Sequence, residues 1–154
     1  MLVKDVMTRE VVTLSPEDSL RTAVEKLSSR GISGAPVVEN GKVVGTISER
    51  DILEAIDVFF PKVHLDTGNF FSAIISLLKQ GSSFREVKKH LIEAEKVKVR
   101  DVMKRCAVTV EENATIMDAV RLMTRHGVNR LPVVSGGKLV GIITRADILK
   151  ALGR

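Results

Sequence analysis

An ungapped internal repeat constrains the fold of this chain more than any other feature of its sequence. When the 154 residues are shifted by 96 positions against themselves, residues 3–56 align with residues 99–152 without a gap. The segment GKVVGTISERDIL at 41–53 returns as GKLVGIITRADIL at 137–149. A match of this length indicates two copies of one supersecondary unit, and each copy alone is too small to close a core comfortably. The sequence therefore predicts that two similar units pack against each other.

The pattern within each copy predicts a first strand and then a long helix. A β-rich run, at 10–14 in the first copy and 107–110 in the second, precedes a segment whose apolar residues recur with helical spacing. The motif Ser15-Pro16-Glu17-Asp18 predicts an N-cap for the first long helix. Gly31 and Gly127 predict a left-handed residue at the end of each long helix. The two apolar stripes are Leu20, Ala23, Val24 and Leu27, and Ile116, Ala119, Val120 and Met123.

A β-hairpin and a short final helix are predicted to complete each copy. Asn40-Gly41 and Gly136-Gly137 each separate two β-rich runs, which is a strong signal for a tight hairpin turn. The final helices are predicted to begin near Arg50 and Ala146. Each copy therefore has the element order β-α-β-β-α, and the fold class is α+β.

The segment between the copies has a different pattern. The sequence predicts repeats at 1–56 and 99–154 with a helical insert at 57–98. Within the insert, Asn69 predicts the cap of a helix to about Gln80, and a capping box from Ser83 to Glu86 predicts a helix to about Val97. We expect the phenylalanines of the chain, which all lie in this insert, to pack against the repeats or against a second subunit. They are Phe59, Phe60, Phe70, Phe71 and Phe84.

Composition and motif content exclude several function classes. The net charge of +5 admits an anionic partner, but acidic residues lie between the basic ones, and the absence of Trp and Tyr disfavours a base-stacking platform. No apolar run approaches the length of about 18 residues that spans a bilayer, and no secretory signal precedes the first element, so we expect a cytoplasmic protein without a membrane partner. The chain contains no P-loop, HExxH or GxSxG motif, so we do not expect it to be an enzyme. Cys106 and the three histidines are dispersed along the sequence, so we expect no metal site and no required cofactor.

The ordered motifs of the two copies resemble a tandem pair of CBS domains, also called a Bateman module. The resemblance covers nearly all of the chain except 57–98, and its motifs are Asp5-Val6-Met7, Gly31 to Val38 and Gly41 to Asp51, with their echoes at Asp101-Val102-Met103, Gly127 to Val134 and Gly137 to Asp147. It implies a pseudo-two-fold pair of repeats with two clefts, and often a homodimer. Such modules commonly bind AMP, ADP, ATP or S-adenosylmethionine and regulate another protein. No fused effector domain is evident here, so we expect the signal to pass to an unidentified regulated partner or through the insert.

The Ser/Thr-x-x-Asp motifs at the last strand-to-helix junctions allow two interpretations. Ser48 with Asp51, and Thr144 with Asp147, fit capping boxes in which the hydroxyl is the N-cap and the acid is the third helical residue. The same junction offers unpaired amide groups and the positive end of a helix dipole, which suit a phosphate. A carboxylate can also accept two hydrogen bonds from a ribose diol, as the resemblance implies. We favour the ligand role, and the two roles overlap.

The resemblance also places an adenine slot in each cleft. Around Asp147 it implies Val11, Val12, Ile32 and Ser33, and around Asp51 it implies Val108, Val128 and Asn129. Arg130 is the best phosphate candidate because a guanidinium can bind a phosphate in a bidentate manner. Glu49 opposes an anion if it faces the Asp51 cleft. We therefore predict unequal clefts, with the Asp147 cleft as the better phosphate site.

Two other functions remain open from the sequence. A nucleic-acid-associated module is suggested by the basic charge and by Arg85, Lys88, Lys89 and Lys96 on one predicted helix, although acids share that helix. A ligand-free protein-interaction scaffold is the other alternative, with the insert as a docking surface. The adenosine-ligand sensor is the leading hypothesis.

Overall fold

The computed structural model describes residues 1–59 and 94–154. The predicted helices near Asn69 and Ser83 therefore lie outside the described residues, as do all of the insert's phenylalanines except Phe59. At the end of the insert, where a helix to about Val97 was predicted, the described part is a 3₁₀ turn at Ala94–Lys96.

The described elements follow the same order in both repeats. The first repeat contains α1 (Val3–Val6), α2 (Leu20–Arg30), β1 (Gly34–Glu39), β2 (Lys42–Ser48) and α3 (Glu49–Phe59). The second contains α4 (Val99–Val102), β3 (Lys104–Arg105), β4 (Val110–Glu111), α5 (Ile116–His126), β5 (Arg130–Ser135), β6 (Lys138–Thr144) and α6 (Arg145–Leu152). Among these described elements, no helix is both long enough and apolar enough to cross a membrane.

One mixed sheet joins the two repeats. Its strand order is β1-β2-β6-β5-β4, and β3 pairs with β2. The two hairpins meet where β2 pairs with β6 at Lys42 and Lys138, which occupy equivalent positions of the two copies. Equivalent strands that pair in an antiparallel manner at equivalent residues place the repeats about a local two-fold axis, as the resemblance implies.

The predicted hairpin turns and helix ends are confirmed. Both residues of each turn have positive φ, at 53° and 77° for Asn40-Gly41 and at 59° and 82° for Gly136-Gly137. Gly31 and Gly127 end α2 and α5 in the left-handed conformation. The final helices begin at Glu49 and Arg145, one residue before the predicted positions.

Each repeat contributes a short segment to the core of the other repeat. Val3 and Met7 lie in the core cluster of the second repeat, and Val99 lies in that of the first. Val3 and Val99 are both fully buried. A Cβ on Gly141 would lie 2.6 Å from Met7 Sδ, so the glycine in this strand allows the close approach of the exchanged segment. The exchange explains why neither repeat forms a complete core by itself.

The helix stripes form the rest of these cores. All four predicted residues of α2 are buried, with Leu20, Ala23, Val24 and Leu27 at most 3% exposed. In α5, Ile116, Ala119 and Met123 are buried and Val120 is partly buried. The predicted helical faces are confirmed.

The predicted N-cap of α2 is wrong. The helix begins at Leu20 with Ser19 as its N-cap, and the Ser19 side chain accepts a hydrogen bond from the Thr22 amide. Ser15 instead closes a separate turn, in which its amide donates to Asp18 Oδ2 at 2.8 Å. The carbonyl of Asp18 is used by another segment, because it accepts a hydrogen bond from the Val99 amide at 2.8 Å. Contact with the second repeat therefore delays the start of the helix.

The first strand of each repeat is shorter than predicted. In the run 10–14, only Leu14 pairs with the sheet, through a parallel bridge to Val37. In the run 107–110, pairing begins at Val110, the first residue of β4. Glu10, Val11 and Val12 of the first run and Val108 of the second line the clefts described below.

Candidate functional site

The two Ser/Thr-x-x-Asp motifs form capping boxes. Asp51 Oδ2 accepts hydrogen bonds from the Ser48 amide at 2.9 Å and from Ser48 Oγ at 3.0 Å, and the Asp51 amide donates to Ser48 Oγ at 3.3 Å. The equivalent distances for Thr144 and Asp147 are 2.8, 2.8 and 3.2 Å. The capping interpretation is confirmed for both junctions.

The capping bonds use one oxygen of each carboxylate. Asp51 is 5% exposed, and its Oδ1 lies 3.7 Å from Lys104 Nζ. Asp147 is partly buried, and within the described parts of the chain no group donates a hydrogen bond to its Oδ1. An ionised carboxylate accepts hydrogen bonds through both oxygens, so each aspartate can cap a helix with Oδ2 and hold another group with Oδ1.

Two of the first three amides of each final helix are paired, so these junctions offer fewer unpaired amides than the sequence predicts. The Glu49 amide donates to the Ser33 carbonyl at 2.9 Å, and the Arg145 amide donates to the Asn129 carbonyl at 3.0 Å. The Asp51 and Asp147 amides are used in the capping boxes. The carbonyl of the residue just before each hairpin and the cap hydroxyl therefore satisfy donors that the sequence alone left open.

The first cleft, here called the Asp51 cavity, has a volume of 330 Å³. It brings together the predicted residues Ser48, Asp51, Val108, Val128 and Asn129. Both repeats contribute to it, because Val108, Val128 and Asn129 come from the second repeat. Glu49 also lines this cavity, as does Arg50.

The second cleft, here called the Asp147 cavity, has a volume of 360 Å³. Every residue predicted for this cleft lines it, namely Val11, Val12, Ile32, Ser33, Thr144 and Asp147. Thr8 and Glu10 line it as well. The cavity is again built from both repeats, with the adenine-side residues from the first and the Thr-x-x-Asp motif from the second.

The sequence prediction missed the residue that follows each D-V-M motif. Thr8 pairs with Ile142 of β6, and Lys104 pairs with Thr46 of β2. These pairings place Thr8 in the Asp147 cavity and Lys104 in the Asp51 cavity. The repeat alignment itself contained the signal, because positions 8 and 104 are equivalent and carry side chains of different charge.

Arg130 lies between the cavities and lines both of them. Its guanidinium donates a hydrogen bond to Ser33 Oγ, and Ser33 also lines both cavities. Burial lowers the pKa of the Arg130 guanidinium, while the charge of Glu49 acts in the opposite direction. The equivalent position in the first repeat is Gly34, where a Cβ would collide with Arg130 Nη1. Of these two equivalent positions, only the one in the second repeat therefore places a side chain at the boundary.

Comparison with protein families matches both halves of the chain. The family model of the CBS domain matches residues 3–58 and 99–154. An uncharacterized protein of Methanocaldococcus jannaschii is 38% identical over 154 residues, and the alignment covers 99% of this chain and 91% of that protein. The inosine-5'-monophosphate dehydrogenase of Thermoplasma acidophilum is 30% identical over 145 residues, but the alignment covers only 22% of the enzyme.

Solved structures show the same architecture. The CBS-pair protein CBSX2 from Arabidopsis thaliana superposes with a TM-score of 0.72 at 27% identity, covering 98% of this chain and 93% of that one. A second structure of CBSX2, in complex with AMP, superposes with a TM-score of 0.68 over 98% of this chain and 95% of that one.

Proposed function

The chain belongs to the CBS domain family, and we propose that it is a regulatory module that binds an adenosine-containing ligand and signals to a partner protein. The observation that carries this proposal is the position of the two aspartates. Each presents a carboxylate oxygen that is not needed for its helix cap, in a cavity built from both repeats. We propose no catalytic role for the described residues.

The cavity walls suit the parts of an adenosine ligand. Asp51 Oδ1 and Asp147 Oδ1 are the proposed acceptors for ribose hydroxyl groups. Val108 and Val128 in one cavity, and Val11, Val12 and Ile32 in the other, provide apolar surface for adenine. Both volumes lie within the range of about 300–1,000 Å³ that is usual for small-molecule sites.

Arg130 is the proposed contact for phosphate groups. Its guanidinium reaches the boundary of both cavities and can bind a phosphate in a bidentate manner. The AMP complex of CBSX2 supports AMP as a ligand of this chain, and ADP, ATP and S-adenosylmethionine share the adenosine moiety that the apolar walls and aspartates address.

Ligand binding in such cavities couples the two repeats. Each cavity is lined by residues of both repeats, so a bound ligand favours the relative arrangement in which both sets of contacts are made. We propose that this population shift is what the regulated protein detects, with the segment 57–98 as a candidate surface for that contact.

A homodimer is part of the proposal. Leu149 and Leu152 on α6 are 69% and 68% exposed, and Met117 on α5 is 53% exposed. Large apolar side chains at such exposure are consistent with a surface that a second copy covers. The exposed side of α6 is the candidate contact.

A thermal-shift screen tests the binding function. We expect AMP, ADP, ATP or S-adenosylmethionine, but not GTP, to raise the melting temperature. At a ligand concentration of 100 times Kd the stabilisation is about 2.7 kcal/mol, which corresponds to roughly 5–10 °C for a chain of this length. The double variant Asp51→Asn, Asp147→Asn keeps an acceptor oxygen for each cap and serves as the control that should lose the shift. If no compound produces a shift, the ligand-free scaffold is the better description.

A further inference from the structure

The two cavities share a single guanidinium. Arg130 is the only cationic side chain among the described residues that line the Asp147 cavity, and it also lines the Asp51 cavity. Its counterpart in the first repeat, Gly34, has no side chain to offer. A bidentate phosphate contact uses two of the guanidinium's N–H groups, and Nη2 already donates to Ser33 Oγ, so two phosphorylated ligands compete for the remaining donors of Arg130.

The Asp51 cavity contains cations of its own. Lys104 and Arg50 line it in addition to Arg130. The Lys104 side chain is 68% exposed and only 3.7 Å from Asp51 Oδ1, so it can turn to a phosphate without leaving a buried site. In the Asp147 cavity the position equivalent to Lys104 is occupied by Thr8, which is uncharged.

The acidic residues increase the difference in charge between the two cavities. Glu49 and Asp51 line the Asp51 cavity, where Lys104 and Arg50 balance them even before Arg130 is counted. Glu10 and Asp147 line the other cavity, and the described residues provide no cation there besides Arg130. A phosphate monoester adds a charge of about −1.5 to −2 at pH 7. The Asp147 cavity therefore repels a phosphate once Arg130 is engaged on the other side.

We propose that the Asp51 cavity binds a phosphorylated adenosine nucleotide and that the Asp147 cavity binds an adenosine compound without a phosphate. This assignment rests on the proposed function and makes it more specific. It reverses the order predicted from the sequence, which made the Asp147 cleft the better phosphate site and did not include Lys104. The Asp147 cavity keeps the groups that recognise the nucleoside, since Asp147 Oδ1 and the valines at 11 and 12 line it.

Titration calorimetry with AMP and adenosine on the full 154-residue chain tests the assignment. We expect one strong AMP site per chain, and one additional site for adenosine in the AMP-saturated protein. Asp51→Asn should weaken AMP binding about tenfold or more, because hydrogen bonds to charged groups contribute more than neutral ones. Asp147→Asn should remove the adenosine site and leave AMP binding unchanged. Melting curves of both variants check that they are folded.

A substitution at the exposed Lys104 separates the phosphate contact from nucleoside recognition. Lys104→Thr gives the second repeat the same residue that the first repeat has at the equivalent position, Thr8. We expect it to weaken AMP binding about tenfold and to leave adenosine binding unchanged. Lys42→Thr removes the same charge from an exposed strand position that lines neither cavity, and it is the matched control.

The outcomes distinguish this inference from the proposed function. Two equal AMP sites per chain, AMP binding that depends on Asp147 but not Asp51, or no effect of Lys104→Thr would overturn the assignment and leave an adenosine sensor standing. Failure of adenosine to bind the AMP-saturated protein would also overturn it. If neither AMP nor adenosine binds at millimolar concentration, the proposed function fails together with the assignment.

Discussion

Val99→Ala tests the exchange of core segments between the repeats. Val99 belongs to the second repeat in sequence, but its side chain is fully buried in the core of the first. The substitution removes two methyl groups, at about 0.8 kcal/mol each for the lost burial. The cavity left behind adds to this, so we expect the free energy of unfolding to fall by about 2–3 kcal/mol.

Urea denaturation followed by far-ultraviolet circular dichroism is a suitable assay, because the chain contains no Trp or Tyr for fluorescence. We expect a single cooperative transition with a lower midpoint and an unchanged slope. Val24→Ala, at a position 3% exposed in the same core, is the matched control, and we expect a similar loss. A loss below about 0.5 kcal/mol, the range typical of surface substitutions, would refute a shared core, and so would separate transitions for the two repeats.

Two further predictions concern the surface. The double variant Leu149→Glu, Leu152→Glu should convert a homodimer to a monomer, as measured by light scattering. We expect little change in the stability of the monomer, because both side chains are largely exposed. A wild-type chain that is already monomeric would contradict the proposed contact. Hydrogen bonds from Thr115 lower the pKa of the Asp118 carboxyl. The ionised Asp118 carboxylate therefore stabilises the fold fully at pH values above the ordinary carboxyl pKa, and this stabilisation is lost as the pH falls through the lowered pKa. Thr115→Ala should raise that pKa towards its ordinary value in a carboxyl NMR titration, and an unchanged pKa would show that the cause is elsewhere.

Most of the repeat architecture was predictable because it depends on local patterns. Asn40-Gly41, Gly31 and the stripe from Leu20 to Leu27 each act within a few residues of their own position, and all of them are confirmed. The predicted cap at Ser15 is wrong because the carbonyl of Asp18 is engaged by the second repeat. A contact over more than eighty positions of the chain leaves no local signal.

In the clefts, too, some features follow from local sequence patterns and others depend on contacts between residues distant along the chain. The residues around Asp51 and Asp147 could be grouped from the motifs and the family resemblance, and the structure brings each group together. Whether they bind a ligand remains a proposal. Lys104 was missed because its place depends on pairing with Thr46 of the other repeat. The sequence identified the aspartates, whereas the charge around them depends on the pairing between repeats.

The sequence by itself determined that this chain is a pair of similar units with a Ser/Thr-x-x-Asp motif at the same junction of each. The tertiary structure decided which segments complete each core and where Arg130 lies. The physical reason is distance along the chain. Caps and hairpin turns are satisfied by near neighbours, but Val99 is buried among residues of the opposite repeat and Arg130 donates a hydrogen bond to Ser33 of that repeat. Two nearly equivalent motifs thereby acquire different surroundings, because Arg130 lies at the shared boundary and its equivalent, Gly34, has no side chain.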